Sequence, residues 1–380
     1  MSISKKILFI SEFAGQIGGT EKFIFSTAKL LRENGYVCDM LYKTPAKNLE
    51  EFSEVFDVCA PLSEAIIPAS EYLITTMHRT EDANFLRMAL DKYAPTLFVH
   101  DHTYVCPKGY KYYPYKRKNC AQKYNRFVCA ICALSAPLRH FSNGVLDAVK
   151  RNVFEMPLLN KTALSFPKFV VISDFMRNEL LKNGVAENKI SLLSPYVDAV
   201  ETAETQPSGK LKILFASQHV ASKGLHLLFE SLAKMKSDFE LTILGEGART
   251  PFYKDLAKEF GIAQKTIFAG FVNNPEDFYK RTDVAVFPSM WQEPFGLVGI
   301  EAMAYARPVV AFDVGGVRQW LIDGKNGIIV PERNTTLFAE ALDKLAQNPS
   351  LVKSLGENGR DFVRANFTRE NFLKTFLQLQ

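Results

Sequence analysis

Short apolar runs alternate with amphipathic stretches through the first fifty residues. Residues 6–10 (KILFI) form an apolar run that predicts a buried strand. Apolar residues between 23 and 31 recur at helical spacing, and Thr20 before them is a candidate helix cap. The run 37–41 then predicts a second strand. Strands that alternate with helices of this length predict a parallel sheet with helices on its faces.

The same alternation continues from residue 168 and is strongest in the second half of the chain. The polar segment 200–209 shows neither the helical nor the strand periodicity of apolar residues and is the best candidate for a linker. The sequence therefore predicts an α/β protein with two doubly wound, Rossmann-like domains. We expect an N-terminal domain at 1–205, a C-terminal domain at 206–364, and a C-terminal helix at 365–380 that packs back on the first domain. In such folds ligands bind outside the carboxyl ends of the strands, so two facing domains would enclose a binding cleft.

Composition narrows the class of protein. Of 380 residues, 47% are hydrophobic and 23% are charged, which excludes a disordered, collagen-like or coiled-coil chain. No stretch approaches the roughly 18 apolar residues of a membrane-spanning helix. The first apolar run is too short for a signal peptide, so we expect a cytoplasmic protein. A net charge of +5 is too weak to predict nucleic-acid binding.

Positive charge is concentrated in one irregular segment, which we treat as an insertion at about 103–150. Residues 108–151 hold ten Lys or Arg residues and one acidic residue. Aromatic side chains are interleaved with these cations, at Tyr110, Tyr112, Tyr113, Tyr115, Tyr124 and Phe127. Rings and cations together suit the surface of an anionic membrane or a lipid-linked acceptor. A solvated loop explains the same composition equally well.

Four cysteines lie in the same segment, at Cys106, Cys120, Cys129 and Cys132. The closing Cys-x-x-Cys pair is compatible with a structural four-thiolate zinc site. Only one of the two expected close pairs is present, so free thiols remain an alternative. Disulfides are a further alternative, although a reducing cytoplasm disfavours them.

The sharpest local motif is the run from Glu293 to Glu301 (EPFGLVGIE), which follows an apolar strand and leads into a predicted helix. Carboxylates at its two ends could accept hydrogen bonds from sugar and ribose hydroxyls. Exposed amides near Gly296 and Leu297 could hold a pyrophosphate at the helix N-terminus. The plainer interpretation is a capped helix with Glu301 on a solvated face.

In this setting the run 293–301 resembles the paired-glutamate motif of glycosyltransferase family 4, which comprises retaining enzymes of the GT-B fold (glycosyl transferases group 1). Residues 15–21 resemble that family's N-terminal glycine loop, and Ser222-Lys223-Gly224 resembles its phosphate-binding turn. The segments 244–247 and 270–272 resemble its nucleobase-side loops. The segment 314–327 resembles its C-terminal signature. The C-terminal half matches nearly throughout, and the N-terminal half matches at fewer positions.

The resemblance implies a role for each matching residue. Glu293, His100 and Lys223 are the expected catalytic residues: Glu293 would contact the donor sugar, Lys223 the diphosphate, and His100 would lie beside the sugar. Glu301 would contact the ribose. The expected donor-binding residues are Gly18, Gly19, Gln218, Lys223, Gly224, Gly247, Phe271, Val272, Glu293, Phe295, Gly296, Leu297, Val298 and Glu301.

The resemblance also implies a reaction. A sugar, with UDP-sugar favoured, would pass with retention to a saccharide or lipid-linked saccharide acceptor in polysaccharide or lipopolysaccharide assembly. No divalent metal is expected in catalysis. Two positions depart from the family: Gln218 stands where an Arg is usual, and Gln319 where a Glu is usual. They leave open an alternative, a nucleotide-sugar-binding scaffold with lost or weak turnover. Residues 15–20 do not fit the Gly-x-Gly-x-x-Gly pattern of an NAD-dependent oxidoreductase.

Overall fold

Strands and helices alternate along both halves of the chain in this computed structural model. The structure describes residues 5–15, 18–64, 67–113, 118–134, 149–198, 200 and 209–379. The strands are β1 (Lys6–Ala14), β2 (Val37–Pro45), β3 (Val58–Pro61), β4 (Ile74–Met77), β5 (Thr96–Val99), β6 (Tyr112–Tyr113), β7 (Lys118–Asn119), β8 (Phe169–Val171), β9 (Ile190–Leu192), β10 (Leu211–Ala216), β11 (Phe239–Leu244), β12 (Thr266–Gly270), β13 (Val284–Phe287), β14 (Val309–Phe312) and β15 (Gly327–Val330).

The α-helices cover the connections between these strands. They are α1 (Gly19–Glu33), α2 (Leu49–Ser53), α3 (Ala83–Tyr93), α4 (Arg126–Leu134), α5 (Met156–Leu164), α6 (Asp174–Lys182), α7 (Leu225–Leu232), α8 (Thr250–Glu259), α9 (Glu276–Arg281), α10 (Leu297–Ala304), α11 (Thr335–Ala346), α12 (Pro349–Asn366) and α13 (Arg369–Leu377). A π-helical turn at Lys150–Glu155 precedes α5.

The chain divides into two compact units. Unit 1 comprises residues 1–194 and 370–380, and unit 2 comprises residues 195–369. The chain therefore passes between units at Ser194–Pro195, rather than near residue 205. Most of the predicted linker, at 201–208, lies outside the described residues.

Unit 1 contains a seven-stranded parallel sheet in the order β3-β2-β1-β4-β5-β8-β9. Its central strands β4, β5 and β8 are almost fully buried, as expected where helices cover both faces of a sheet. Residues from α13 complete this core: Phe376 is fully buried and its ring lies 6.5 Å from that of Phe9. The antiparallel pair β6–β7 belongs to the basic insertion.

Unit 2 contains a six-stranded parallel sheet in the order β12-β11-β10-β13-β14-β15. The strand order reverses between β10 and β13, as it does in unit 1 between β1 and β4. Loops on either side of such a reversal diverge and leave a crevice at the carboxyl ends of the strands. Two units of this kind confirm the predicted pair of doubly wound domains.

Candidate functional site

In unit 2 the predicted catalytic residues follow the two strands that flank the reversal. Lys223 follows β10 and Glu293 follows β13, and these strands are parallel neighbours. Residues seventy positions apart along the chain are thereby brought to one edge of the sheet. This placement is a property of the topology and cannot be obtained from either motif alone.

The turn that carries Lys223 packs against the segment preceding Glu293. Gly224 adopts a left-handed φ of 73°, and a Cβ added there would lie 1.8 Å from the Pro288 carbonyl oxygen. Only glycine fits this approach without a shift of the backbone. The Met290 N–H donates to the Ser222 carbonyl at 2.8 Å. The Lys-Gly turn and the end of β13 are therefore one packed structure.

The Glu293 carboxylate is buried and receives three donors on one oxygen. Lys223 Nζ and Trp291 Nε1 each donate to Oε1 at 2.5 Å, and Ser289 Oγ donates to it at 2.8 Å. Lys223 Nζ also lies 5.2 Å from the centre of the Trp291 ring. Among the described residues no donor reaches Oε2. One oxygen is thus fixed by the protein while the other keeps its capacity to accept hydrogen bonds.

The glycine pair at 315–316 holds the backbone of Glu293. The Gly316 N–H donates to the Glu293 carbonyl at 2.7 Å, and a Cβ on Gly315 would lie 2.1 Å from the same oxygen. The Gly315 N–H donates to Gln292 Oε1 at 2.9 Å. The C-terminal signature identified in the sequence therefore positions the loop that carries Glu293.

Helix α10 begins directly beyond this loop. Gly296 is its N-cap, and Leu297 and Val298, both half-buried, form its first turn. Phe295 is buried beneath the turn, where its carbonyl accepts the indole N–H of Trp320 at 2.7 Å. The first amides of a helix lack intrahelical acceptors and attract anions. A ready anion-binding terminus thus lies within a few residues of Glu293.

Glu301 lies on α10, whereas Glu293 precedes the helix, in agreement with the predicted order of strand, loop and helix. The buried Tyr279 hydroxyl donates to Glu301 Oε2 at 3.1 Å. Burial, and then the neighbouring Glu301 carboxylate, raise the pKa of Tyr279 well above its usual value. Tyr279 therefore remains a neutral donor that orients Glu301.

The loops after β10, β11 and β12 supply the remaining predicted donor-binding residues of unit 2. The His219 N–H donates to the Glu246 carbonyl at 3.0 Å, and Gly247 packs against the same backbone. Gln218 is exposed beside this contact. Phe271 is 72% exposed. Val272 after it is half-buried. An exposed ring at this edge offers a flat apolar surface to a ligand.

In unit 1 the predicted residues lie at the carboxyl edge of the seven-stranded sheet. Gly18 and Gly19 are exposed at the start of α1. Gly18, in an extended conformation, is the N-cap of that helix. The expectation that Thr20 caps it was wrong, since Thr20 is already inside the helix. His100 follows β5, and the ring of Phe23 from α1 meets it edge-on at 4.9 Å.

His100 is part of a hydrogen-bonded chain that the sequence did not reveal. Its Nε2 lies 2.9 Å from Nδ1 of His78, and Nε2 of His78 lies 3.0 Å from the Thr76 hydroxyl. That hydroxyl donates to the Leu8 carbonyl at 3.0 Å. Burial lowers the pKa of His78 well below its usual value and that of His100 to about 4. Both rings are therefore neutral near pH 7.

The four clustered cysteines do not form a metal centre in the described structure. The Cys120 thiol donates to Tyr113 at 3.2 Å, and Lys108 Nζ donates to Cys132 Sγ at 3.1 Å. No group of three or more His, Cys, Asp or Glu side chains is arranged to hold a metal ion within the described ranges. Among the described residues, Cys106, Cys120, Cys129 and Cys132 are thus not grouped around one metal position, and the structural zinc stays a prediction.

Among the described helices, none combines the length and the apolar character needed to cross a bilayer.

The geometry of unit 2 agrees with what a family comparison finds. Residues 198–362 match the family model of glycosyl transferases group 1. The lipopolysaccharide core biosynthesis glycosyltransferase LpsE of Rhizobium meliloti is 30% identical over 184 residues, which are 48% of this chain and 54% of LpsE. The chain spans about half the length, or less, of the first curated relatives that it matches.

Solved structures match the whole chain. A glycosyltransferase from Rickettsia africae has a TM-score of 0.74 at 20% identity, with 99% of this chain and 98% of that chain covered. Anabaena Alr3699/HepE in complex with UDP has a TM-score of 0.71 at 16% identity, with 98% and 99% covered. Together with the two parallel sheets, these matches confirm the GT-B fold. The matched region 198–362 contains Lys223, Glu293 and Glu301.

Sequence reasoning missed the residues that orient these groups. Ser289 and Trp291 bind the fixed oxygen of Glu293, and Tyr279 binds Glu301. A signal was present for the first two, because they lie four and two residues before a singled-out glutamate. No local signal connected Tyr279 to Glu301, because the contact depends on how α9 and α10 pack.

Proposed function

We propose that this protein is a retaining glycosyltransferase of family 4 that transfers a hexose from a nucleotide-diphosphate sugar to an acceptor hydroxyl. One observation carries the proposal. The ammonium of Lys223, the buried carboxylate of Glu293 and the N-terminus of α10 converge at the reversal of the unit 2 sheet. A cation beside free helix amides suits a diphosphate, and a half-satisfied carboxylate suits a sugar.

Lys223 supplies charge to the departing diphosphate. Its ammonium has three donors, and Glu293 Oε1 takes one of them. The side chain is 22% exposed, so donors remain available to a phosphate. As the glycosidic bond breaks, negative charge accumulates on the leaving diphosphate, and a fixed cation lowers the energy of that state.

The two glutamates bind the hydroxyl-bearing ends of the donor. Glu293 Oε2 accepts hydrogen bonds from the transferred sugar, and Glu301, held by Tyr279, accepts them from the ribose. The exposed ring of Phe271 lies against the base. Anabaena Alr3699/HepE has been solved with UDP and with UDP-glucose, which supports a uridine nucleotide as the donor.

The acceptor is a saccharide or a lipid-linked saccharide. LpsE acts in lipopolysaccharide core biosynthesis according to its name, which supports an acceptor from surface polysaccharide assembly. Gln218 and Gln319 motivate the alternative of a binding scaffold with weak turnover. A turnover assay separates these two functions.

The test is release of nucleotide from UDP-, GDP- and ADP-glucose and -galactose, with and without oligosaccharide acceptors. We expect one nucleotide class to be consumed by the wild-type protein, and consumption to fall at least tenfold in Lys223→Ala. The matched control is Lys258→Ala, because Lys258 is an exposed lysine of the same unit that pairs only with Asp255 on the surface. Donor binding without any release would favour the scaffold. Equal loss in both variants would contradict the assigned role of Lys223.

We further propose that the basic insertion contacts an anionic membrane surface. On α4 the side chains of Phe127 and Ile131 are 75% and 69% exposed, and Phe154 of the neighbouring π-helical turn is 64% exposed. Arg126 Nη2 donates to the Val153 carbonyl at 3.4 Å, which places the two apolar faces side by side. Exposed apolar groups that adjoin one another mark an interaction surface.

The charge around this patch favours anionic lipid over a neutral partner. Exposed cations occur in the same part of the chain as the apolar side chains, at Lys118, Lys123, Arg126, Lys150 and Arg151. Basic residues near a membrane surface gain about 1 kcal/mol each from anionic lipid. The apolar side chains can enter the interface while the cations meet the headgroups.

Vesicle co-sedimentation tests this surface. We expect binding to vesicles of phosphatidylcholine with phosphatidylglycerol, weak binding to phosphatidylcholine alone, and loss of binding in the double variant Phe127→Ser, Ile131→Ser. Ile267→Ser is the control, since Ile267 is 51% exposed and belongs to unit 2 rather than to the insertion. Unchanged binding of the double variant, or no preference for anionic vesicles, would contradict the proposal.

A further inference from the structure

The hydrogen-bonded chain in unit 1 runs in one direction only. The Leu8 carbonyl can only accept, so the Thr76 hydroxyl must donate to it at 3.0 Å. The lone pairs of that hydroxyl then face Nε2 of His78 at 3.0 Å. Because this hydroxyl already donates its hydrogen bond to Leu8, it must accept a hydrogen bond from the His78 ring. His78 therefore carries its proton on Nε2.

The proton position of His78 in turn determines that of His100. A neutral imidazole carries one N–H, so a proton on Nε2 of His78 leaves its Nδ1 as an acceptor. Nδ1 of His78 lies 2.9 Å from Nε2 of His100, and His100 must donate across this contact. His100 in turn keeps its proton on Nε2, which leaves its own Nδ1 as a bare acceptor.

The surroundings keep both rings neutral. His78 is fully buried among Phe9, Phe23 and Phe98, with ring centres 4.9–6.0 Å away. Such surroundings disfavour an imidazolium. The charged residues beside His100 are Asp101 and Arg79, which pair with each other at 2.8 Å, so that their opposite charges offset one another.

We propose that Thr76 and His78 are positioning residues, which fix His100 as the Nε2-protonated tautomer so that Nδ1 accepts a hydrogen bond from a hydroxyl group of a bound ligand. Nδ1 of His100 has no partner among the described residues, and His100 itself is half-buried at the carboxyl edge of the sheet. The ligand class is a polyhydroxylated molecule, that is, the sugar of the donor or acceptor. This assignment to a sugar rests on the proposed transferase function, whereas the tautomer does not.

Histidine 15N NMR on the full chain tests the tautomer without any assumption about function. Long-range proton–nitrogen correlations report which ring nitrogen of each histidine carries a proton, and the His78→Phe and His100→Phe variants assign the two rings. We expect both rings to be neutral with the proton on Nε2 at pH 7.5. A proton on Nδ1 of His100, or a doubly protonated ring, would overturn the proposal.

Substitutions at Thr76 separate positioning from a purely structural role. Thr76→Val preserves shape but removes the acceptor for His78, so the protons of both histidines should move to Nδ1. Thr76→Ser restores the hydroxyl and should restore the wild-type tautomers. Thr75→Val is the control, because Thr75 contacts the Tyr93 carbonyl instead, at 3.4 Å. Wild-type tautomers in Thr76→Val would contradict the proposal.

Kinetics then connect the tautomer to the ligand. We expect kcat/KM to fall about tenfold in Thr76→Val, the effect of one misdirected hydrogen bond, and to recover in Thr76→Ser. If both histidines carry the proton on Nε2 but the protein turns over no donor, the transferase function would be contradicted and the positioning role of Thr76 and His78 would not. Correct tautomers with unchanged kcat/KM in Thr76→Val would overturn the role given to His100.

Discussion

Replacing Glu293 by glutamine separates the sugar-binding role of this residue from diphosphate binding. The substitution preserves size but removes the negative charge that now binds Lys223, Ser289 and Trp291. In the proposed function, Glu293 binds the sugar while Lys223 binds the diphosphate. Glu293→Gln should therefore weaken the binding of a nucleotide sugar and leave the binding of the free nucleoside diphosphate unchanged or stronger.

The magnitude follows from the hydrogen bonds involved. A hydrogen bond to a charged group contributes about 1.5–3 kcal/mol. Loss of one such bond from Oε2 to the sugar should weaken UDP-sugar binding by about 10- to 150-fold. The affinity for UDP should instead stay unchanged or rise, because Lys223 loses an internal anion that competes with the diphosphate.

Isothermal titration of UDP and UDP-glucose into wild type and Glu293→Gln forms a thermodynamic cycle. If another nucleotide is the donor, the same cycle applies to that nucleotide. Glu230→Gln is the matched control, since Glu230 forms an exposed pair with Lys234 at 2.9 Å in the same unit. Equal weakening of both ligands, or of neither, would refute the assignment of Glu293 to the sugar.

Two further predictions concern single groups whose surroundings are known. Gly224→Ala should lower the melting temperature and abolish nucleotide binding, because the added Cβ would lie 1.8 Å from the Pro288 carbonyl oxygen. Gly35→Ala is the control, since Gly35 has a similar φ of 81° but no atom within 4 Å of the added Cβ. This control should only lower stability, by about 1–2 kcal/mol. Comparable effects of both substitutions would contradict the packing at Gly224. Burial lowers the pKa of His100 to about 4 from an ordinary value of about 6.5, so its contribution to stability is complete above pH 6.5 and is lost as the pH falls towards 4. Melting temperatures from pH 7.5 to 4 should fall more steeply in wild type than in His100→Phe, and parallel curves would contradict this linkage.

The fold could be predicted because its determinants are local and periodic. The predicted strands at 6–10 and 37–41 begin at the residues where β1 and β2 begin, Lys6 and Val37. Each is a short and mostly apolar run, and its length favours a strand, since helices typically need about ten or more residues. The end of a strand was harder to predict: β1 extends to Ala14, through residues whose apolar character is interrupted.

The site could be predicted only as separate motifs. The sequence identified Lys223 and Glu293 individually, but their 2.5 Å contact depends on two strands lying side by side. The hydrogen-bonded chain from Thr76 to His100 likewise depends on the pairing of β4 with β1 and β5. Contacts between strands far apart in the chain leave no periodic trace in the sequence, which is why the hydrogen-bonded chain from Leu8 to His100 was missed.

The most direct test of the central claim is calorimetric titration of UDP-, GDP- and ADP-sugars into the wild-type protein, Lys223→Ala and Lys258→Ala. We expect saturable binding of one nucleotide class at one site per chain, lost in Lys223→Ala and retained in Lys258→Ala. Absence of binding by every nucleotide sugar, or binding that survives the loss of Lys223, would contradict it.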